Sequence, residues 1–199
     1  MFRPAYVLIA LVLTAAPAFA QSWQIDTAHS RAQFTVRHLM ISDIRGDFGA
    51  VTGTVDYDGK DLTKARVNAT IDVKSISTRV EKRDEHLKTD DFLDVANHPT
   101  MKFVSTSIAK AGNGYTMTGD LTIRGTTKRV TFDLTAPSGP ITTRGQTKIG
   151  ASASGKINRK DFGVKYHEVM DNGGLGVADD VFIQLDVELI QQPARTSTN

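Results

Sequence analysis

The sequence predicts an all-β domain, an antiparallel up-and-down barrel of eight strands with one short helical segment. Three observations carry this: rows of strictly alternating apolar and polar residues, glycine-bearing turn pairs between them, and no helical crossover segments of the kind a parallel sheet needs. With 199 residues, 40% of them hydrophobic, 23% charged and 7% aromatic, the chain suits one soluble domain and excludes a disordered or fibrous class.

Residues 1–20 stand apart from this pattern. Arg3 is followed by an apolar stretch over residues 5–13 and then Ala18-Phe19-Ala20, the small-x-small pattern that a signal peptidase cleaves. The expectation is an export signal cut after Ala20 and a periplasmic or secreted protein. The apolar run is shorter than the ~20 residues of a bilayer-spanning helix, and no later run reaches that length, so no integral membrane span is expected. The domain proper is placed at residues 21–190 and a frayed tail at residues 191–199.

The alternation begins with Ala32, Phe34, Val36 and His38 on one face and Gln33, Thr35 and Arg37 on the other. It recurs in Val51, Gly53, Val55 and Tyr57, and again in Val67, Ala69, Ile71 and Val73. Further rows are Tyr115, Met117, Gly119, Leu121 and Ile123, then Val130, Phe132 and Leu134, then Ile149, Ala151, Ala153, Gly155 and Ile157. Val181, Ile183, Leu185, Val187 and Leu189 form the last. Asp58-Gly59, Asn113-Gly114, Arg124-Gly125 and Asn172-Gly173-Gly174 supply the positive φ that tight hairpins require. Between residues 79 and 95, Val80, Asp84, Leu87 and Asp91 have approximately helical spacing in a charge-rich stretch, which suits a surface helix or lid.

An eight-stranded barrel is either filled by its own side chains or wide enough for one small ligand. Small residues recur on the inner rows, at Ala32, Gly53, Ala69, Gly119, Ala151, Ala153 and Gly155, which favours an apolar cavity. The alternative is that they let strands coil or seat a neighbouring aromatic ring.

Charge and composition exclude several functions. Lys and Arg number 24 against 22 Asp and Glu, scattered along the chain, so there is no basic stripe for nucleic acid. The absence of cysteine removes thiol catalysis, Cys-bearing zinc sites and disulfides. The run from Gly150 to Lys156 resembles a phosphate-binding loop, but Ile157 replaces the magnesium-binding hydroxyl and the stretch alternates as a strand. The five histidines form no i, i+2 or i, i+4 pair, so no metal site is expected. Arg83, Asp84 and His86 read as an ion pair fixing the lid rather than an acid/base set. The run from Asn158 to Gly163 either turns cations toward a phosphate or is a solvated turn.

Longer words along the chain resemble the YceI-like family of exported bacterial proteins. They include Phe34-Thr35-Val36-Arg37-His38-Leu39, Asp72-Val73-Lys74-Ser75-Ile76-Ser77-Thr78, Arg83-Asp84-Glu85-His86-Leu87 and Asp91-Phe92-Leu93-Asp94. His98-Pro99-Thr100-Met101-Lys102-Phe103, Gly119-Asp120-Leu121-Thr122-Ile123-Arg124-Gly125 and Asn158-Arg159-Lys160-Asp161-Phe162-Gly163 continue the match to about residue 190. Glu81-Lys82 and His98 depart from the family pattern without touching the barrel periodicity. The resemblance implies a lipocalin-like barrel that binds a polyisoprenoid or another long-chain lipid, without cofactor or catalytic residue. Alternation and the family match together place Phe34, Val36, Ile71, Phe103, Leu121, Phe132, Ile149 and Ile157 on the ligand, with His38 nearest its head group. The expected function is non-catalytic binding, storage or transport of that lipid. The alternatives are a hydrolase or isomerase acting on a prenyl lipid through His38 or His86, and a solid barrel working through its surface. The family is often dimeric, and these residues leave a homodimer open.

Overall fold

The last and longest alternating row becomes the seam that closes the sheet. In the computed structural model, which describes residues 21–167, 169 and 176–193, this row lies in a strand from Val177 to Gln191. In chain order the strands are β1 (Ser22–Ile25), β2 (Arg31–His38), β3 (Ser42–Phe48), β4 (Val51–Asp56), β5 (Arg66–Asp72), β6 (Ile76–Ser77), β7 (Thr100–Ala111), β8 (Gly114–Ile123), β9 (Thr126–Leu134), β10 (Ile141–Thr143), β11 (Gln146–Asn158) and β12 (Val177–Gln191). One helix, α1 (Glu81–Lys88), follows β6. Residues 1–20, expected to be an export signal, the expected Asn172-Gly173-Gly174 turn and the tail beyond residue 193 lie outside the described residues.

One edge of β12 pairs with β11 from Lys148↔Ile190 to Asn158↔Asp180. Its other edge carries β1 at one end (Ile25↔Leu189) and β2 along the rest (Arg31↔Asp186 to His38↔Val177). β1 and β2 are therefore two halves of one barrel strand, interrupted at residues 26–30. β3 and β4 are likewise halves of the next, and β5 and β6 of a third, broken by a 3-10 turn at Val73–Ser75. With the halves joined, the circuit is a closed antiparallel barrel of eight strands, with β10 a short flap on β11.

Each interruption removes ladder hydrogen bonds, and side chains restore them. Ser30, 1% exposed, accepts from Glu188 N at 3.1 Å through its Oγ. Ser75 Oγ donates to Asp72 O at 2.6 Å and accepts from Ala50 N at 3.3 Å. Over the first break, Lys148 Nζ lies 2.7 Å from Asp26 Oδ2 and 3.2 Å from Glu188 Oε2, and His29 Nδ1 lies 2.9 Å from Asp26 Oδ2. The hydrogen bond from Lys148, then that from His29, holds the Asp26 carboxyl down to about 2. Trp23 is buried beside this end and donates from Nε1 to Tyr57 O at 3.0 Å.

The barrel wall packs by setting aromatic rings over glycines of the adjacent strand. Phe34 of β2 covers Gly46 of β3, its register partner, and Phe103 of β7 covers Gly119 of β8. Phe132 of β9 covers Gly155 of β11, where an added Cβ would stand 2.6 Å from the ring. At Gly119 and Gly155 the alternative reading of the small residues is the correct one: they seat rings. Gly53 serves a different need, a close approach of its backbone to Asn68 and Ala69 of β5 at a φ of 150°.

Several local expectations are corrected. The helix covers only Glu81–Lys88, because residues 89–98 fold into successive turns with bonds such as Asp94 N to Thr89 O and His98 N to Asp94 O, both 2.8 Å. At the β7–β8 hairpin the positive φ falls on Gly112 (55°) rather than on Gly114, which already belongs to β8. Arg124-Gly125 has φ of 49° and 71° as expected, and Arg144-Gly145 repeats it at 49° and 75°. Val73 opens the 3-10 turn instead of closing a strand row. β7 escapes a reading by alternation because its register shifts between Ser105 and Ser107, so Met101 and Phe103 face inward and then Ile108. Ser105 repairs that bulge by accepting from Val67 N at 2.8 Å.

Two predictions follow from this packing. Asp26 has a folded pKa below its ordinary value of 3.8, so its contribution is complete above that pH and is lost as pH falls toward about 2. The urea midpoint should drop across this window, and Asp26→Asn should lower the midpoint at neutral pH while flattening the acid limb. Gly119→Ala should cost ~1–3 kcal/mol by overpacking against Phe103. Adding Phe103→Leu should recover part of that loss, a coupling that a double-mutant cycle on urea midpoints measures directly.

Candidate functional site

The inner rows enclose a cavity of about 420 Å³. One end is shut. The 3-10 turn Leu62–Lys64, capped by Asp61 accepting from Thr63 N at 3.1 Å, packs against β7, and Leu62, Ala65, Ile108 and Met117 are all buried there. The wall above is aliphatic and aromatic because every second residue of each strand must point inward.

All nine residues singled out from the sequence border this cavity: Phe34, Val36, His38, Ile71, Phe103, Leu121, Phe132, Ile149 and Ile157. Leu121, Phe132, Ile149 and Ile157 are buried, and the others are half-buried. The T-shaped pair Phe103 and Phe132, with centroids 5.6 Å apart, spans the wall formed by β8 between them. His38 ends β2 opposite Val177, at the far end of the strand from the closed base. The seam row Val181, Ile183, Leu185, Val187 and Leu189 borders the cavity over its whole length.

The open end is ringed by α1 and the turns after it. Leu87 and Leu93 border the lumen, as do Arg83, His86, Phe92 and Tyr166. Arg83 and Asp84 do not form the expected ion pair; both hold Thr78. Arg83 donates to Thr78 Oγ1 at 2.7 Å and to Thr78 O at 3.0 Å, while Asp84 Oδ1 accepts from Thr78 N at 2.8 Å. Asp84 thereby ties the first turn of the helix to the end of β6, and the lid-fixing role stands on different bonds. Phe92 stacks on Tyr166 at 4.6 Å, and His86 meets both rings edge-on at 5.1 and 5.5 Å. His86 Nε2 lies 3.0 Å from Asp91 Oδ2, and Arg124 clamps the same turn by donating to Phe92 O at 2.5 Å. Alternation could not reveal this aromatic group, because its members come from a helix, a turn and a loop.

Arg159 is neither solvated nor turned outward. It is 6% exposed and donates to Ala178 O, Tyr166 O, Val177 O and Asp179 Oδ1 at 2.6–3.2 Å. Burial lowers its pKa, and Asp179 opposes the shift. Its fork pins the loop before β12 to the rim, while Phe162 beside it is 1% exposed. Among the described residues, Asp26, His29 and Glu188 could together reach one cation, since their donor atoms lie within 4.8 Å of one another. Lys148 places its ammonium among those carboxylates. That group crosses the β1–β2 break, away from the lumen wall.

Comparison with known proteins agrees with this architecture. The UPF0312 protein of Serratia proteamaculans is 38% identical over 157 residues, covering 78% of this chain and 82% of the relative. Protein YceI of an Escherichia coli strain is 36% identical over 185 residues, with 92% and 93% covered. Among solved structures, Burkholderia cenocepacia BcnA superposes with a TM-score of 0.67 at 27% identity, covering 82% of this chain and 98% of that one. A polyisoprenoid binding domain from Saccharophagus degradans shares the fold with a TM-score of 0.61 at 12% identity, covering 87% and 99%. The YceI-like domain matches residues 23–189, and the chain belongs to that family.

Proposed function

We propose that the protein binds a long-chain apolar lipid, a polyisoprenoid or similar amphiphile, in the barrel and carries or stores it in water without making or breaking a bond. The observation that carries this reading is the cavity itself: apolar walls over its depth, a shut base, and polar side chains gathered at the opposite end. Each CH₂ moved from water into such a wall gains ~0.8 kcal/mol, so ten of them offer ~8 kcal/mol before the costs of association. Affinity then comes from the tail, and orientation from the few polar groups at the rim. Phe34, Val36, Ile71, Phe103, Leu121, Phe132, Ile149 and Ile157 are the proposed tail contacts. His38 is the proposed head-group contact.

Two observations support binding over catalysis. The imidazole nearest a carboxylate at the rim, His86, faces Asp91 with side chains 46% and 59% exposed, which leaves the pair in water instead of in a dry, preorganised site. His38 lies on the same inner row as Phe34 and Val36, so a lipid head group above them would meet it as a hydrogen-bonding partner. The name of the Saccharophagus domain supports the ligand class, since a barrel of this shape is described there as binding polyisoprenoid. The segment at residues 1–20 supports export to the periplasm or beyond, where a lipid moving between membranes needs a soluble shield.

Native mass spectrometry before and after solvent extraction tests the proposal. A removable, chemically unaltered lipid is expected; an altered lipid would assign turnover, and no extractable or reloadable lipid would assign a solid barrel. Leu121→Trp, which fills the lumen, should lower lipid retention by about tenfold or more with the circular dichroism spectrum unchanged. His38→Ala should weaken a polar-headed lipid by about two- to tenfold and leave an unsubstituted hydrocarbon unaffected, as loss of one hydrogen bond requires.

A further inference from the structure

The hairpin joining β2 to β3 has the wrong chemistry for a turn. Its three loop residues are Leu39-Met40-Ile41, with His38 and Ser42 paired at its base. Leu39 and Met40 hold φ of 50° and 60°, the left-handed region that hairpins fill with Gly or Asn because a bulky side chain there is strained. Met40 is 50% exposed and Ile41 75%. The loop thus carries backbone strain and hydrated apolar surface together, and neither helps the barrel to close. Backbone strain kept at an apolar, water-facing tip points to a use outside the fold.

The position of the tip supplies the use. Below it, Phe34, Val36 and Ile44 of the same hairpin border the cavity together with His38, so the lumen wall continues up to the loop with one polar side chain, His38, at its edge. Leu39 N donates to Gly176 O at 2.8 Å, which fastens the loop to the residue preceding β12. Arg37 and Arg45 flank it on the outward face, both exposed, with Asp43 at 3.1 and 4.0 Å from them, leaving one cation in excess on the hairpin. Apolar side chains at the tip, with guanidinium groups set back from it on the strands, match the layering of a bilayer surface, acyl chains beneath phosphates.

We infer that the Leu39-Met40-Ile41 tip docks the open end of the barrel onto a lipid bilayer, so that cargo passes between membrane and cavity along the β2–β3 hairpin. The inference rests on the lipid-binding reading for its cargo, but docking of the empty protein is measurable without it. The occupant is the membrane surface rather than a second copy of the chain, because a long apolar lipid enters and leaves such a cavity from a bilayer.

The test is flotation of the purified chain with vesicles of equal parts phosphatidylcholine and phosphatidylglycerol. Met40→Ser/Ile41→Ser should lower vesicle partitioning by about tenfold or more, as removal of two inserted apolar side chains requires. Ile141→Ser, at an exposed apolar residue of β10 on the base side, should leave partitioning unchanged. In parallel, a fluorescent long-chain polyene alcohol is supplied either from ethanol or from the vesicles. The double variant should retain the ethanol-delivered probe as the parent does and acquire the vesicle-borne probe at least about tenfold more slowly. Equal flotation of parent and double variant, or equal loss in Ile141→Ser, overturns the inference. So does a parent that sediments as a dimer while the double variant is monomeric, since the tip would then serve self-association. Failure of the parent to retain the ethanol-delivered probe overturns the lipid-binding reading and leaves the flotation result to stand by itself.

Discussion

An eight-stranded barrel has just enough interior to fill itself, and whether it does is decided by where its aromatic rings lie. A Phe on an inner row can project toward the axis or lie flat against the wall, and the second requires a neighbour without a side chain. Phe34 over Gly46, Phe103 over Gly119 and Phe132 over Gly155 all take the second arrangement. Each ring occupies the volume its glycine vacates, so the wall is packed while the axis stays clear. The glycines are costly in a strand by ~0.5–1 kcal/mol relative to alanine, a loss that the covering ring offsets. The lumen is therefore a product of wall packing. It is not a defect of the core.

The same barrel separates what holds it together from what it can hold. Three consecutive strands are broken, and the groups that mend the breaks, Ser30, Ser75, Asp72 and the Asp26, Lys148 and Glu188 cluster, hydrogen-bond to backbone and to one another. At the rim, Arg83 and Arg124 spend their donors on carbonyl and hydroxyl oxygens of loops, and Arg159 spends its own on Tyr166 O, on carbonyls at the start of β12 and on Asp179. Of these, only Arg159 belongs to a run that could turn cations toward a phosphate in the sequence, and in the fold it acts as a clamp. Buried donors are used up by the chain's own acceptors, which leaves the lumen to apolar contact.

Much of this was legible in the sequence where one face of a strand is buried and the other is wet. β2 and β11 are such strands, and the residues chosen on them border the cavity, as does the alternating row of β12, from which no ligand contact was chosen. Alternation fails where the backbone itself changes phase. β7 carries a bulge, so Ile108 follows Phe103 at an odd spacing, and the row vanishes from a period of two. β3 is short and bears Asp43, Arg45 and Asp47 outward around only Ile44, Gly46 and Phe48, too weak a signal beside the flanking loops. The family words located Phe103 where periodicity did not. The lid helix was legible from its spacing, but its aromatic group was not: His86, Phe92 and Tyr166 meet only after a helix, a turn and a distant loop have been placed, and no local pattern encodes that meeting.

The two ends of the barrel differ in chemistry, and the proposed lipid binding depends on that difference. The base needs no polar group facing the lumen beyond Tyr57, whose pKa is raised by burial, and it is sealed by Leu62, Ala65, Ile108 and Met117. On the proposed reading, a lipid enters from the end where His38, the α1 lid and the β2–β3 tip lie, tail first. Tail-first entry leaves the head group at the rim, among the groups the chain can offer it, and the tail against walls indifferent to its exact length and unsaturation. Discrimination by such a site falls on the head and on what the rim touches. Variation between relatives that share this barrel is thus expected in the hairpin and lid rather than in the glycine-seated rings, which every ligand of this kind would need.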